Sequence, residues 1–459
     1  MGKDSEGKGS LPHELKRIIN LFQAVMYGVG LILGAGIYVI IGDVAAVAGN
    51  AMWISFIVAS VIALFTGLSY AELSSMFPKS AAEYVFAKNV FGSHFIALIV
   101  GCLIIFVAVV SAATVALGFS GYFTSVFFPE FHPVLVAIVL IAALSFVNFY
   151  GISESVWMNT AFTFIELAGL VIIILAGFWL GSPSTTNYFE MPDKMLESSE
   201  SSWLLMMGAI FGGAGLIFFA YYGFENVVNI ADETRNPARI IPMAILISIA
   251  FATILYILVA ISTSALVGWK GLSLSEAPLS LAAEKAFSGR GVIIISLIAL
   301  FATSNTALMM LVSGSRIIYG ISKDRSFPKV LAGVHKSRQT PWIAVILVMV
   351  FTIITIAISS GEISTIARIA VFGIFLVYAI VNFSLIWSRF RHPEYKRPFV
   401  SPIKIGRFPV LAGMGLITSI AMLFQFESNI VMGGFLVLLS VVALTVVLII
   451  KVRISGMQR

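Results

Sequence analysis

Apolar residues in this chain come in long runs, separated by polar breaks and by breaks containing glycine and proline. The runs cover residues 20–47, 51–76, 94–124, 133–149, 156–181, 203–230, 240–267, 291–321, 342–360, 363–388, 408–426 and 430–450. Each is close to the roughly 20 residues that a helix needs to cross a bilayer. They are too long for strands and lack strict alternation, and an open sheet edge does not survive in lipid. The pattern predicts an all-α polytopic membrane protein of about 12 transmembrane helices. The breaks reach only about 20 residues, so no soluble domain is expected between the spans.

Composition sharpens this reading. Of the 459 residues, 59% are apolar and 11% are charged, against roughly 25% charged in a soluble domain. A soluble globule of this make-up would expose large apolar patches. A soluble enzyme, a nucleic-acid binder and a disordered protein are therefore all disfavoured. The net charge of +6 comes from basic residues confined to certain breaks. With the N-terminus placed in the cytoplasm, 23 of the 28 Lys and Arg fall on cytoplasmic segments and adjoining helix ends. Only Lys194, Lys270, Lys285 and Arg290 fall outside, and Arg368 lies within the tenth run. That asymmetry predicts an even number of spans, with cytoplasmic tails at 1–19 and 451–459, in the cell membrane. The first 17 residues are polar and end in Lys16 and Arg17. The run after them is long enough to span, so it reads as a retained helix rather than a cleaved signal. Cys102 lies alone inside an apolar run and is expected to pack there, without an intrachain disulfide.

Two runs look broken. The first contains Gly28, Gly30, Gly34, Ala35 and Gly36. Gly30 and Gly34 form a GxxxG, which serves close helix packing in most membrane proteins. The small residues in mid-span also allow the helix to unwind, which would leave N–H groups free to bind a carboxylate at the start of a half-helix. The sixth run is interrupted between Phe211 and Glu225 by Gly212, Gly213, Gly215 and Gly223, and carries clustered aromatics there. Interrupted helices at corresponding places in two halves are the sequence signature of a transporter binding site. The first and sixth positions imply two five-helix repeats, over 20–181 and 203–388, with two extra helices over 408–450. An odd number of helices per repeat makes the repeats inverted.

Several motifs then carry a family resemblance over residues 15–400. They are Gly34-Ala35-Gly36-Ile37-Tyr38; Tyr70-Ala71-Glu72-Leu73 followed by Pro78-Lys79-Ser80-Ala81-Ala82-Glu83-Tyr84; and Phe218-Phe219-Ala220-Tyr221-Tyr222-Gly223-Phe224-Glu225 running on to Pro242. Ser315-Arg316 with Tyr319, Asp324 and Pro328, then Thr340-Pro341 and Tyr395-Lys396-Arg397-Pro398-Phe399, complete the set. In this order and at these helix positions, the chain resembles the amino acid–polyamine–organocation transporter superfamily, in particular its prokaryotic proton-coupled permeases. Ala81 and Ala82 stand where the family usually has two glycines, and Arg325 replaces a glycine. The resemblance implies the inverted-repeat fold of the leucine-transporter type and an amino acid held at mid-membrane. Backbone N–H groups around Gly34, Ala35 and Gly36 would bind its carboxylate. Carbonyls near Ile32, Phe219 and Tyr222 would bind its ammonium, with Phe219 as an aromatic gate.

Charges inside the spans are functional candidates because they are costly there. Asp43 falls near the outer end of its run, where interfacial water solvates it. Glu72 falls near an inner end, which points to a structural or gating pair. Glu225 follows the break in the sixth run and is a candidate for gating or proton coupling, or for a structural hydrogen bond. Glu166 lies midway along the fifth run among apolar neighbours. The resemblance aligns it with a lysine common in proton-coupled relatives, facing the backbone near Val29 and Ser304, Asn305 and Thr306. It is read as the proton carrier, alternatively as a carboxylate that helps hold a cation such as sodium, or as a permanently protonated structural residue. The five histidines all lie in tails, loops or span ends, so no metal site or catalytic constellation is expected. The function expected is secondary-active transport of neutral amino acids by proton symport, with an amino acid exchanger, or a sensor or channel on the same fold, as alternatives. The expected partners are the amino acid, the coupling ion and the bilayer, without cofactor or nucleic acid.

Overall fold

The structure, a computed structural model, describes residues 15–192, 202–275, 277–287, 289–359 and 363–457. Nine helices among them are long and apolar enough to cross a membrane, and three shorter apolar helices accompany them. In chain order the helices are α1 (Leu21–Ala48), α2 (Met52–Met76), α3 (Ala82–Phe91), α4 (His94–Val126), α5 (Pro133–Tyr150) and α6 (Ile152–Trp179). Next come α7 (Ser202–Phe218), α8 (Pro237–Leu266), α9 (Gly268–Ser273), α10 (Pro278–Phe287) and α11 (Gly289–Lys323). The last four are α12 (Trp342–Ile358), α13 (Ile363–Arg391), α14 (Val410–Leu423) and α15 (Ser428–Met457). The chain is an all-α polytopic membrane protein. Its outer surface agrees with that: Phe146, Trp157, Ile254, Ile417 and Leu439 are each at least 60% exposed, a liability in water and the natural contact of lipid.

Local chemistry starts and stops these helices. Asn20 and Gln23 cap α1 reciprocally, each side chain accepting from the other's backbone N–H. Pro133 and Pro237 open α5 and α8 at positions whose N–H would have no helical partner. Helix α3 forms in the break between the second and third apolar runs. Ala81 caps it in the left-handed conformation, φ 57°. The loop thus keeps a glycine-like turn without the glycine, at a cost of about 1–2 kcal/mol. Two further short helices, α9 and α10, lie in the break after the seventh span. A two-residue hairpin pairs Lys404–Ile405 with Phe408–Pro409, at the start of the predicted eleventh run.

One predicted span differs more deeply. Residues 203–230 were expected as a single interrupted helix. Instead α7 ends at Phe218, and the chain continues through 3-10 turns at Phe219–Tyr221 and Phe224–Glu233. The second half is rich in polar side chains that bond to neighbouring elements, which releases it from regular helix.

Several helix contacts recur when the first five spans are exchanged for the next five. Helix α4 lies on α11 and α2 on α8; α1 on α8 is matched by α7 on α2; α6 on α11 is matched by α13 on α4. The α4–α5 contact has its counterpart in α11–α12, and α1–α6 has its counterpart in the stacking of Phe218 on Phe375, 5.3 Å between centroids. Helices α14 and α15 pack on the outside, against α13, α2 and α4.

The end of the bundle that carries the N-terminal segment is the basic end. There, two cations counted with the loops by sequence are in fact buried. Arg316, fully buried, makes two parallel bonds of 3.1 Å to Glu233 and a third to Asn148. Arg389 pairs in the same forked way with Glu72, whose carboxylate also accepts from Ser401 N at 2.7 Å. Removing one partner of such a pair costs about 3–5 kcal/mol, because the other charge stays buried. Arg316→Met is therefore expected to lower thermal stability in detergent sharply, and Arg316→Met with Glu233→Leu to recover much of the loss. A single variant as stable as the parent protein would remove the pair from the list of determinants of the fold.

Candidate functional site

Helix α1 breaks at Gly34, the one residue in it with non-helical backbone angles (φ −21°, ψ −155°). A side chain is excluded there: a Cβ would lie 2.3 Å from Thr306 Oγ1 on α11. A Cβ on Gly36 would lie 3.2 Å from the Ala220 Cα. The second break faces the first. Gly223 takes φ +127°, and a Cβ on it would meet the Leu31 backbone at about 3.0 Å. The glycines of the two broken runs thus allow their backbones to approach each other closely.

Tyr256 of α8 joins the two breaks. Its hydroxyl lies 2.6 Å from the Ile32 carbonyl and 3.2 Å from the Ala220 carbonyl. The ring is fully buried against Phe56 and Tyr221. Sequence reasoning missed this residue, since a lone tyrosine in an apolar run gives no signal. The Ile32 carbonyl, expected to face the ammonium of a substrate, is in this conformation the acceptor of that hydroxyl.

Between the breaks lies a cavity of about 90 Å³. Ile32, Gly34, Gly36, Ala220 and Tyr222 line it from the broken segments. Helix α4 adds Val107, Ser111, Thr114 and Val115; α11 adds Thr306 and Met310; α13 adds Ala367, Ala370, Val371 and Ile374. The Tyr222 hydroxyl lies 3.3 Å from Ser111 Oγ. Four of the six predicted binding residues are thus at this cavity or bounding it. The side chains of Ala35 and Phe219, the latter expected as an aromatic gate, lie outside the described residues.

Glu166 does not line this cavity. It sits behind α1, fully buried, where Asn305 Nδ2 donates to its Oε1 at 3.1 Å and to Thr163 Oγ1 at 3.1 Å. Gly30 makes room for this cluster: a Cβ on it would lie 2.3 Å from Thr163 Oγ1 and 2.7 Å from both Asn159 Oδ1 and Asn305 Nδ2. Among the described residues, Glu166 Oε2, both polar atoms of the Asn159 side chain, Asn305 Oδ1 and Thr306 Oγ1 are buried without a partner. So many unmet polar atoms are rare in a packed interior and call for a ligand, water or proton. Of the expected partners, Asn305 makes the bond and Ser304 makes none to Glu166 among the described residues. Asn159, Thr163 and Glu166, spaced four and three apart on one face of α6, are a polar stripe that the sequence did carry. Asn305 faces this cluster while its neighbour Thr306 faces the cavity, so one turn of α11 borders both.

Glu225 is engaged differently. Its carboxylate accepts from Gly223 N at 3.0 Å, Asn226 Nδ2 at 2.9 Å and the Tyr378 hydroxyl at 2.7 Å. It holds the turn after the second break. From there polar contacts continue toward the basic end. Ser313 donates to Asn226, Asn229 accepts from Ala82 N, and the Tyr70 hydroxyl donates to buried Glu83. Beyond them Tyr84 and Lys88 of α3 both bind Asp324. These layers close the cavity on its basic side. Glu83 was not singled out from sequence, because an acid beside a loop motif reads as exposed.

Comparison with known proteins accords with this architecture. A family model described as "Amino acid permease" matches residues 19–456. The branched-chain amino acid permease BcaP of Bacillus subtilis (strain 168) is 28% identical over 424 residues, covering 88% of this chain and 86% of that protein. The methylthioribose transporter of the same organism is 29% identical over 413 residues, 84% of each chain. Cationic amino acid transporter 4 of Mus musculus is 29% identical over 407 residues, 84% of this chain and 61% of that one. With nearly its whole length matched and its two broken helices meeting at a cavity, the chain belongs to the amino acid permease family of the amino acid–polyamine–organocation superfamily: it is an amino acid transporter and not an enzyme.

Proposed function

We propose that the protein carries neutral amino acids across the cell membrane by alternating access, in symport with protons. In this reading two inverted repeats, over 20–181 and 203–388, surround the substrate, helices over 408–450 flank them, and both termini lie in the cytoplasm. The Lys and Arg asymmetry and the exchange symmetry of the packing support this frame. Unwound backbone at Gly34, Ala35 and Gly36 supplies N–H groups for the carboxylate, and carbonyls near Ile32, Phe219 and Tyr222 receive the ammonium.

The observation that supports a neutral substrate is the cavity lining, which carries no acidic side chain among the described residues. The two buried acids nearest the breaks are withdrawn from it: Glu225 is held by three donors, and Glu166 lies behind Gly30. A cationic side chain would find no counter-charge. Valine, alanine and isoleucine around the space suit a small aliphatic side chain.

The proton assignment rests on Glu166. Its Oε2 is buried with no donor, so an ionised carboxyl there is poorly compensated and a neutral one needs only a proton. A second reading has its own observation. The unpartnered oxygens of Glu166, Asn159, Asn305 and Thr306 are acceptors, and acceptors can also hold a sodium ion. Ser304 adjoins the same turn and enters only in that reading. An exchanger needs neither ion.

Uptake into proteoliposomes, with labelled amino acids and with imposed pH or sodium gradients, tests these readings. Neutral aliphatic amino acids driven by an inward proton gradient are expected; uptake that requires internal amino acid instead identifies an exchanger. Glu166→Gln should remove the pH dependence of uptake. Normal, pH-dependent transport by that variant would rule out Glu166 as the proton carrier. Tyr256→Phe deletes one oxygen and leaves two buried carbonyls less well satisfied, at about 1–2 kcal/mol. An increase in KM of roughly tenfold is expected if part of that loss falls on the bound state, and an unchanged KM would confine Tyr256 to general packing.

A further inference from the structure

The basic end of the bundle carries a cavity that lies apart from the two breaks. Its volume is about 410 Å³, and it sits beside the start of α1, where α5 ends and α6 begins. Lys16, Arg235 and Arg338 line it, each from a different segment: the stretch before α1, the turn before α8 and the loop between α11 and α12. All three are exposed, and among the described residues none has a side-chain hydrogen bond or ion pair. Elsewhere at this end cations are answered: Arg316 by Glu233, Arg389 by Glu72 and Lys88 by Asp324. Among the described residues, Glu154 is the only acid in the lining. It stands in the first turn of α6, where a helix favours an acid. Its carboxylate folds back on that turn, so that a Cβ on Gly151 would lie 2.1 Å from Oε2. Three cations against one acid leave the cavity positive.

This cavity adjoins the lipid-facing surface. The Arg338 guanidinium lies over the Tyr150 ring, 3.7 Å from its centroid. Tyr150 lies 6.0 Å from Phe146, one turn back on α5. Phe146 and Trp157 of α6 are both strongly exposed. Stacking on a ring holds a guanidinium flat and leaves its edge N–H groups free, a fork that fits a phosphate. Tyrosine and tryptophan settle where hydrocarbon gives way to headgroups, and basic pockets between helices at the cytoplasmic side suit anionic lipid headgroups. A soluble anion would need only the charges. The exposed rings that lead away from them suit an anion that carries acyl chains.

We propose that this cavity binds the headgroup phosphate of an anionic phospholipid, with Arg235 and Arg338 on the phosphate oxygens, Lys16 beside them, and the acyl chains along Phe146 and Trp157. The stretch before α1 is already tied to the turn before α8: the N–H groups of Ile18 and Ile19 donate to the Glu233 carbonyl, and Arg235 N donates to the Ile19 carbonyl. The loop between α11 and α12 is tied to the end of α5, since Thr340 Oγ1 donates to the Phe149 carbonyl at 3.0 Å. A phosphate held by Lys16, Arg235 and Arg338 joins these two pairs of segments, so the lipid stabilises the packed basic end.

The test is thermal unfolding of the purified full chain in detergent micelles doped with phosphatidylglycerol, or with phosphatidylcholine of the same acyl chains, or supplied with inorganic phosphate. Phosphatidylglycerol is expected to raise Tm by about 5 °C more than phosphatidylcholine, as a ligand of the native state does, and inorganic phosphate by less than about 1 °C. Arg235→Gln with Arg338→Gln should abolish the difference between the two lipids, whatever the Tm of that variant. Lys329→Gln with Lys396→Gln takes the same charge from exposed positions outside the cavity and should keep the difference. Equal shifts with the two lipids would overturn the site. So would a difference lost as fully in the Lys329 and Lys396 variant as in the arginine variant, since diffuse charge would then explain it. A full shift from inorganic phosphate would overturn the lipid as the ligand. No transport is measured, so the outcome is independent of the substrate reading above.

Discussion

Two helices stop bonding to themselves in the middle of an apolar bundle, and the rest of the fold answers that constraint. Free carbonyl and N–H groups are expensive where no water reaches. Here the breaks at Gly34 and at Phe219–Gly223 are placed face to face, so that each shields the other. The Tyr256 hydroxyl sits at the Ile32 and Ala220 carbonyls, and Glu225 accepts the Gly223 N–H. Neither break is stable alone. The cavity between them exists because glycine lets the backbones approach while α4, α11 and α13 keep side chains from filling the gap.

Buried polar groups divide into those that are bonded and those that are not. At the basic end the forked pairs Arg316–Glu233 and Arg389–Glu72 are buried and fully bonded. They suit a closed, rigid base. The cluster around Glu166 is the reverse: acceptors and an amide are brought together by α6 and α11, and several lack partners. This cluster lies a single turn of helix away from the central cavity.

Much of this was legible in the residues. Long apolar runs with few charges leave no alternative to membrane helices, and Gly34 and Gly223 stand where the two helices break. The positions of Glu166 and Asn305 were paired correctly through the family resemblance, whereas Ser304 was not brought to Glu166. Other features were hidden for physical reasons. The 3-10 course of Phe224–Glu233 depends on partners in α11, α13 and α3, and periodicity registers only local apolar content. Arg316 and Arg389 looked like loop cations because burial of an arginine depends on a carboxylate far away in the chain. Tyr256 acts on a carbonyl 224 residues away.

The sequence by itself determined the class of protein, the number of spans, the charge asymmetry between the two ends and the places where two helices break. Those properties are sums over neighbouring residues: hydropathy over a turn or more, charge over a loop, backbone freedom at a glycine. Only the tertiary structure decided which buried polar atoms meet. It withdrew Glu225 into a turn, set Glu166 against Asn305, left the Asn159 side chain without partners among the described residues, and put Asp43 and Arg368 at one cavity. Such pairings depend on distances between atoms far apart in the chain, and an electrostatic or hydrogen-bond energy is defined only once those distances are.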